Sequence, residues 1–102
     1  MSLPMSKDEK KIRTYLSDMG VRYDLAGYTY LVEIIEYILT TPTLKTKKAI
    51  DSVGQKYGVS LKNVQNSIRY CLRNTERGDL KMDAKQVIFD CVMYVRESEA
   101  QL

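Results

Sequence analysis

The stretch Val53–Ile68, VGQKYGVSLKNVQNSI, decides the fold, because it places a glycine inside an otherwise helical pattern. A helix-turn-helix motif needs a small residue where its helices cross, a short turn, and apolar anchors for the second helix. Gly54 supplies the small residue, and Gly58 supplies a turn at positive φ. We therefore interpret Gly58 as the turn of a helix-turn-helix motif that covers about residues 47–77.

Apolar side chains occupy the positions that this motif must bury. Val53 is the expected anchor on the first helix, Tyr57 is expected under the turn, and Val59 inside it. Ser60 suits the start of the second helix, because its hydroxyl can accept from free backbone amides. This helix is predicted to run from Ser60 to near Gly78. Its predicted inner face consists of Leu61, Val64, Ile68, Cys71, Leu72 and Thr75.

The opposite face of the second helix is polar and basic, with no acid before Glu76. Asparagine and glutamine suit the adenine edge in the major groove and arginine suits guanine, whereas phosphate contacts set affinity rather than sequence. A hydrated surface is the alternative, although such a face more often carries Glu–Lys pairs. The candidates for reading bases are Lys62, Asn63, Gln65, Asn66 and Arg69. The candidates for phosphate contacts are Lys56, Ser60, Arg73 and Arg77.

The segments before the motif also follow helical patterns. Ser6 with Glu9 predicts the start of a first helix, and Gly20 predicts its end. A connector over residues 21–27 then leads into an apolar helix that Pro42 must end. Glu33 and Glu36 are expected on its wetter side, with Tyr37. The predicted buried stripe consists of Tyr30, Leu31, Ile34, Ile35, Ile38 and Leu39.

The C-terminal segment completes the predicted fold. Asp83 with Gln86 predicts the start of a last helix at about residues 84–97, which should bury Val87, Ile88, Cys91, Val92 and Val95. Three residues outside this stripe, Phe89, Met93 and Tyr94, are either a self-association surface or packed against the N-terminal helix. We expect residues 1–102 to form one all-α domain, a compact bundle of about five helices.

Charge is concentrated in the middle of the chain. Residues 45–81 hold nine Lys or Arg against three acids, a local net charge of +6, although the whole chain carries only +3. Such a segment is typical of a polyanion site, and the alternative is a lysine-rich face that aids solubility. Double-stranded DNA is therefore the expected partner.

Several classes of function lack the residues they need. The chain has no histidine and two cysteines, both at predicted apolar positions, so we expect no catalytic triad, no metal and no cofactor. The two thiols, Cys71 and Cys91, are expected to be buried and reduced. No apolar run approaches the about 18 residues of a membrane span. We expect a cytoplasmic protein that is not an enzyme.

One part of the sequence resembles a known family. Gly20-Val21 followed by Gly27-Tyr28-Thr29-Tyr30-Leu31, together with Ile68-Arg69, resembles the C-terminal effector domain of the stage-zero sporulation master regulator, a response regulator of spore-forming Firmicutes. The resemblance covers about residues 12–78 and fades over the last helix. It implies an all-α transcription factor domain that binds promoter DNA as tandem copies and contacts the sigma factor of RNA polymerase.

The resemblance also bears on individual residues. The family reads bases with a Glu-Arg pair and a following Arg. The last of these aligns with Arg69, whereas Gln65 and Asn66 stand at the Glu-Arg positions. A different DNA target is therefore expected. The family's receiver domain has no room in this chain, and no Asp here is expected to be a phosphoacceptor.

Two hypotheses follow. The first is a sequence-specific DNA-binding transcription regulator that places the helix at about Ser60–Arg77 in the major groove. The second is a protein-interaction module, with a sigma factor or another regulator as partner, that keeps the fold without specific DNA binding. The polar second helix favours the first, because protein-docking surfaces usually present aromatic and apolar anchors.

Overall fold

The computed structural model describes residues 6–100, which form five helices joined by turns and short loops. The helices are α1 (Lys7–Asp18), α2 (Ala26–Thr40), α3 (Thr46–Tyr57), α4 (Leu61–Arg73) and α5 (Ala84–Ala100). Within residues 6–100 there is no β-strand, and a single isolated bridge joins Thr75 to Gly78. The predicted all-α bundle is confirmed.

Local capping explains where three of the helices begin. The Ser6 hydroxyl accepts from the Glu9 amide at 3.0 Å, and the Asp83 carboxylate accepts from the Gln86 amide at 2.9 Å. Ser60 does the same for α4. Each contact satisfies a backbone donor that has no partner within its helix. All three predicted starts are confirmed.

The central helix is α2, which packs against each of the other four helices. Leu31, Ile34 and Ile35 are fully buried, as predicted. The buried face is nevertheless wider than the predicted stripe on its N-terminal side, since Tyr28 and Val32 are buried as well. Tyr30, Ile38 and Leu39 are only half-buried at the margin of the core.

Two predicted boundaries were wrong. The connector after α1 ends at Leu25, because α2 begins at Ala26 and already includes Gly27. The last helix continues to Ala100, three residues past the predicted end. Its inner face is the predicted one, with Val87, Ile88, Cys91, Val92 and Val95 all buried. None of the helices within residues 6–100 is both long and apolar enough to cross a membrane.

Candidate nucleic-acid interface

The turn between α3 and α4 has the geometry of a helix-turn-helix. Gly58 adopts φ 69° and ψ 30°, the left-handed region that favours glycine. The Val59 amide donates to the Gly54 carbonyl at 2.9 Å, and the Gly58 amide donates to the Gln55 carbonyl at 3.3 Å. These two bonds close the C-terminus of α3 and reverse the chain. The predicted role of Gly58 is confirmed.

Gly54 allows the turn to pass close to α3. A Cβ built on Gly54 would lie 2.8 Å from the Val59 carbonyl oxygen and 3.4 Å from a methyl group of Val64. Real Cβ atoms do not approach a carbonyl oxygen so closely, and a side chain here would push the turn and α4 away. The predicted small residue is therefore required by the packing.

The start of α4 is fixed by its cap and by its buried face. The Ser60 hydroxyl accepts from the Asn63 amide at 3.1 Å, which leaves its own proton free to donate elsewhere. Val64, Ile68, Cys71 and Leu72 are buried along the inner side, as predicted. With one face held in the core, the orientation of the opposite face is determined.

That opposite face is exposed and carries no acid. We call it the recognition face, and it consists of Lys62, Asn63, Gln65, Asn66, Arg69 and Arg73, each of which is exposed. Within residues 6–100, none of these six side chains takes part in a salt bridge. The structure thus brings all five predicted base-reading residues, and Arg73, onto one surface of one helix.

Lys56 has a partner that the sequence did not indicate. Its ammonium group forms an ion pair with Glu33 of α2, and the Tyr57 hydroxyl donates to the same carboxylate. The hydrogen bond and charge of Glu33 raise the pKa of Lys56 above its ordinary value. Glu33 is therefore more than a solvated residue, and a phosphate contact by Lys56 would have to compete with it.

Tyr57 lies elsewhere than predicted. Its side chain is 43% exposed rather than buried under the turn. The ring packs against Tyr30 of α2, with the two centroids 5.4 Å apart. The contact with Tyr30 and the hydrogen bond to Glu33 hold Tyr57 on the side of α3 that faces α2.

The end of α4 was also predicted wrongly. The helix ends at Arg73, and Thr75 donates its hydroxyl to the Gly78 carbonyl at 2.5 Å in a tight turn. The Glu76 amide donates to the Gly20 carbonyl at 2.8 Å, which draws this turn toward the end of α1. Arg77 therefore does not continue the recognition face. Its side chain lies beside Gly20, 3.3 Å from where a Cβ would be.

Some exposed residues near the interface were missed. Tyr70 is 58% exposed on α4 and lines a cavity of 240 Å³ together with Asn66 and Gly27. Lys45, Lys47 and Lys48 surround the beginning of α3 and line a second cavity of 420 Å³. The lysines were counted in the basic segment, and their position at the start of the motif was the signal that could have found them.

Other chemistry has little support among the described residues. Cys71 and Cys91 are buried and free, and burial raises the pKa of Cys71 to about 11 and that of Cys91 to about 12. Thiols with such pKa values are poor nucleophiles and metal ligands at neutral pH. No group of three or more candidate metal ligands occurs within residues 6–100.

Comparison with known proteins gives one family. Residues 12–97 match the model of the family described as Sporulation initiation factor Spo0A C terminal, which is a family of DNA-binding regulatory domains and not of enzymes. The match includes most of α5, and so extends beyond the residues on which the resemblance rested. No curated protein sequence matches the chain. Because the match covers nearly all of its length, the chain belongs to the Spo0A C-terminal family of DNA-binding effector domains of sporulation regulators.

Proposed function

We propose that this chain is a sequence-specific DNA-binding transcription regulator that inserts α4 into the major groove. The observation that carries the proposal is the recognition face, six exposed polar or basic side chains without an acid among them. The opposite side of α4 is anchored by Val64 and Ile68, which have no exposed surface. A helix held in this way can present its outer side chains to base edges at a fixed distance.

The chemistry of the recognition face suggests a division of roles. Gln65 and Asn66 can each form two hydrogen bonds with adenine, and Arg69 can form two with guanine. Lys62 and Asn63 lie on the first turn of α4, which enters the groove in a helix-turn-helix complex. Each correct pair of hydrogen bonds discriminates against the wrong base by about 1–3 kcal/mol. The target is therefore expected to contain adenine and guanine opposite these residues.

Phosphate contacts would come from the edges of the same surface. Ser60 keeps a hydroxyl proton to donate, and Arg73 extends the basic surface at the other end of α4. Lys56 and Arg77 lie outside the recognition face. To bind a phosphate, Lys56 would have to break its ion pair with Glu33 and form one with a phosphate oxygen instead. Each neutralised phosphate releases counterions. The logarithm of the binding constant should therefore fall linearly with the logarithm of the salt concentration, and each phosphate contact should make the slope steeper by about 0.9.

Two partners in addition to DNA belong to this proposal. A second copy on an adjacent half-site would raise affinity through effective concentration. The sigma factor of RNA polymerase is the protein partner that the family resemblance implies.

The first experiment is selection of binding sequences from a random duplex pool, followed by a titration of the winner against salt. A defined motif with a steep salt dependence supports the proposal. The double substitution Asn66→Ala with Arg69→Ala should then remove preference for that motif while the fold, followed by circular dichroism, persists. Lys10→Ala with Thr14→Ala, two exposed changes on α1, is the matched control and should bind like the parent.

Equally weak binding to every duplex would contradict the proposal. The protein-interaction module would then be the better hypothesis. The same conclusion follows if the Asn66→Ala and Arg69→Ala variant retains both its preferred sequence and its affinity.

A further inference from the structure

The exposed side of α5 carries a row of four side chains spaced four residues apart. We call Lys85, Phe89, Met93 and Glu97 the α5 stripe. Phe89 is 64% exposed and Met93 is 38% exposed, and both charged residues are exposed as well. Side chains at this spacing form a continuous ridge along a helix. A phenylalanine and a methionine at the centre of such a ridge are unfavourable to leave in water.

Tyr94 is not part of this row. Its ring lies 5.3 Å from that of Tyr15 on α1, measured between centroids, so the tyrosine packs within the bundle. The three residues that the sequence grouped together thus divide between two roles. Phe89 and Met93 instead lie on the exposed side of α5.

The ends of the α5 stripe carry opposite charges that cannot meet within one copy. Lys85 and Glu97 lie 12 positions apart, a distance of about 18 Å along the helix axis. Within residues 6–100, neither forms a salt bridge. Each is therefore available to a partner of the opposite charge.

The order of the four residues is self-complementary. When two α5 helices are placed antiparallel with Phe89 against Met93 of the second copy, Lys85 comes opposite Glu97 of that copy. Positions 85 and 97 are centred on position 91, and so are positions 89 and 93. A two-fold axis at position 91 therefore forms each of these two pairs twice, once on either side of the axis. In the same register Arg96 comes opposite Gln86 of the second copy, which is uncharged, so this pair brings no like charges together. Ridges of this spacing on both helices can pack side by side at an angle of about −50°.

We propose that the α5 stripe binds the α5 stripe of a second copy of this chain in a two-fold symmetric pair. The pairing uses the same surface on both copies, which is the commonest arrangement in homodimers. It does not depend on DNA binding. It differs from tandem copies in one orientation, which would have to use two different surfaces. A single pair of helices buries a small area, so the dimer is weak when free in solution.

The test is a charge-reversal cycle on the parent chain without DNA, read by sedimentation velocity up to about 1 mM protein. Lys85→Glu alone and Glu97→Lys alone each place two like-charged pairs across the axis, and each should weaken the dimer by about tenfold. The double variant restores both pairs in reverse and should dimerise like the parent. Phe89→Asp should remove the dimer, and all of these exposed changes should leave the helical circular dichroism intact.

Lys10→Glu, an exposed change on α1, alters the net charge by the same amount as Lys85→Glu and should leave dimerisation unchanged. The proposal is overturned by a parent chain that stays monomeric throughout this range. It is equally overturned if the double variant remains as weak as the single ones, because rescue requires that residues 85 and 97 face each other. Since no DNA is present, the outcome is independent of whether α4 reads a sequence.

Discussion

Gly27 of α2 lies directly against the Ser67 carbonyl of α4, where the central helix crosses the helix that carries the recognition face. A Cβ built on Gly27 would also lie 2.8 Å from the Cβ of Cys71. The Ser67 oxygen belongs to a helix backbone, so it cannot move aside as the end of a flexible side chain could. Gly27 therefore sets how closely α4 approaches the core.

Gly27→Ala should destabilise the fold by about 1–3 kcal/mol, the usual cost of adding a methyl group to a close-packed site. Urea unfolding followed by circular dichroism measures the change. Thr29→Ala, on an exposed position of the same helix, is the control and should leave the unfolding midpoint almost unchanged. An unaltered midpoint for Gly27→Ala would show that α2 and α4 can separate without cost.

Gly58 is needed for its backbone conformation and not for space, so the cost of replacing it should depend on how well the new residue tolerates that conformation. Nothing lies within 4 Å of a Cβ built at this position, so the requirement is the positive φ of 69° alone. Gly58→Ala should cost about 1–2 kcal/mol through backbone strain. Gly58→Asn should cost less, because asparagine tolerates this region. At Gly27 asparagine should be no better than alanine, and equal losses for both substitutions at Gly58 would contradict the argument.

The features that the sequence predicted well are local ones. Ser6, Ser60 and Asp83 each contact an amide three positions along the chain, and Gly58 closes a helix with residues just before it. Signals of this kind lie within one short window, so the sequence alone reveals them. The recognition face followed for the same reason, since the apolar period of α4 fixes which residues point outward.

The features that the sequence did not predict depend on residues far apart in the chain. Gly27 looked like part of a connector because its neighbour Ser67 is 40 positions away. The end of α4 is set by the turn between Thr75 and Gly78 and by the Gly20 carbonyl, and no pattern near Arg73 indicates either one. Lys56 appeared free because its partner Glu33 belongs to another helix.

The contact between Glu33 and the end of α3 should be visible in titrations. Glu33 raises the pKa of both Lys56 and Tyr57, because it accepts a hydrogen bond from each and favours their protonated forms. A raised pKa contributes stability that is complete below the unfolded pKa and disappears as the pH rises through the folded one. Glu33→Gln should lower both pKa values, which can be followed by NMR of the two side chains.

Glu36→Gln removes a charge from the same surface cavity and serves as the control. The charge of Glu36 also raises the pKa of Lys56, so Tyr57 provides the comparison, and the pKa of Tyr57 should stay close to that of the parent. If Glu33→Gln moves neither pKa, the ion pair does not form in solution, and Lys56 is free to bind phosphate.

The two buried thiols should report unfolding. Burial raises the pKa of Cys71 from 9.0 to about 11, so the folded protein holds about a hundredfold less thiolate at this residue near neutral pH than an exposed cysteine would. Alkylation should therefore be slow in the native protein and fast in urea. Because both thiol pKa values are raised, their contribution to stability should be complete below about pH 9 and fall above it.

Mass spectrometry after a short pulse of iodoacetamide measures both effects. Ser17→Cys provides an exposed thiol on α1 as an internal standard and should react at an ordinary rate. Modification of Cys71 or Cys91 at the rate of that standard would mean that the native core opens far more often than its packing indicates.

Arg73 and Arg77 should differ in how they affect DNA binding, which rests on the proposed function. Arg73 belongs to the last turn of α4, whereas Arg77 lies beyond the helix beside Gly20. Arg73→Ala should lower the slope of affinity against salt by about one and weaken binding to all sequences alike, as expected for the loss of one phosphate contact. Arg77→Ala should have a smaller effect on both quantities.

Fluorescence anisotropy with a selected duplex at several salt concentrations gives the slopes, with Lys10→Ala as the control. Equal reductions for the two arginines would mean that the DNA backbone also follows the loop after α4, and the predicted phosphate role of Arg77 would then stand in spite of its position.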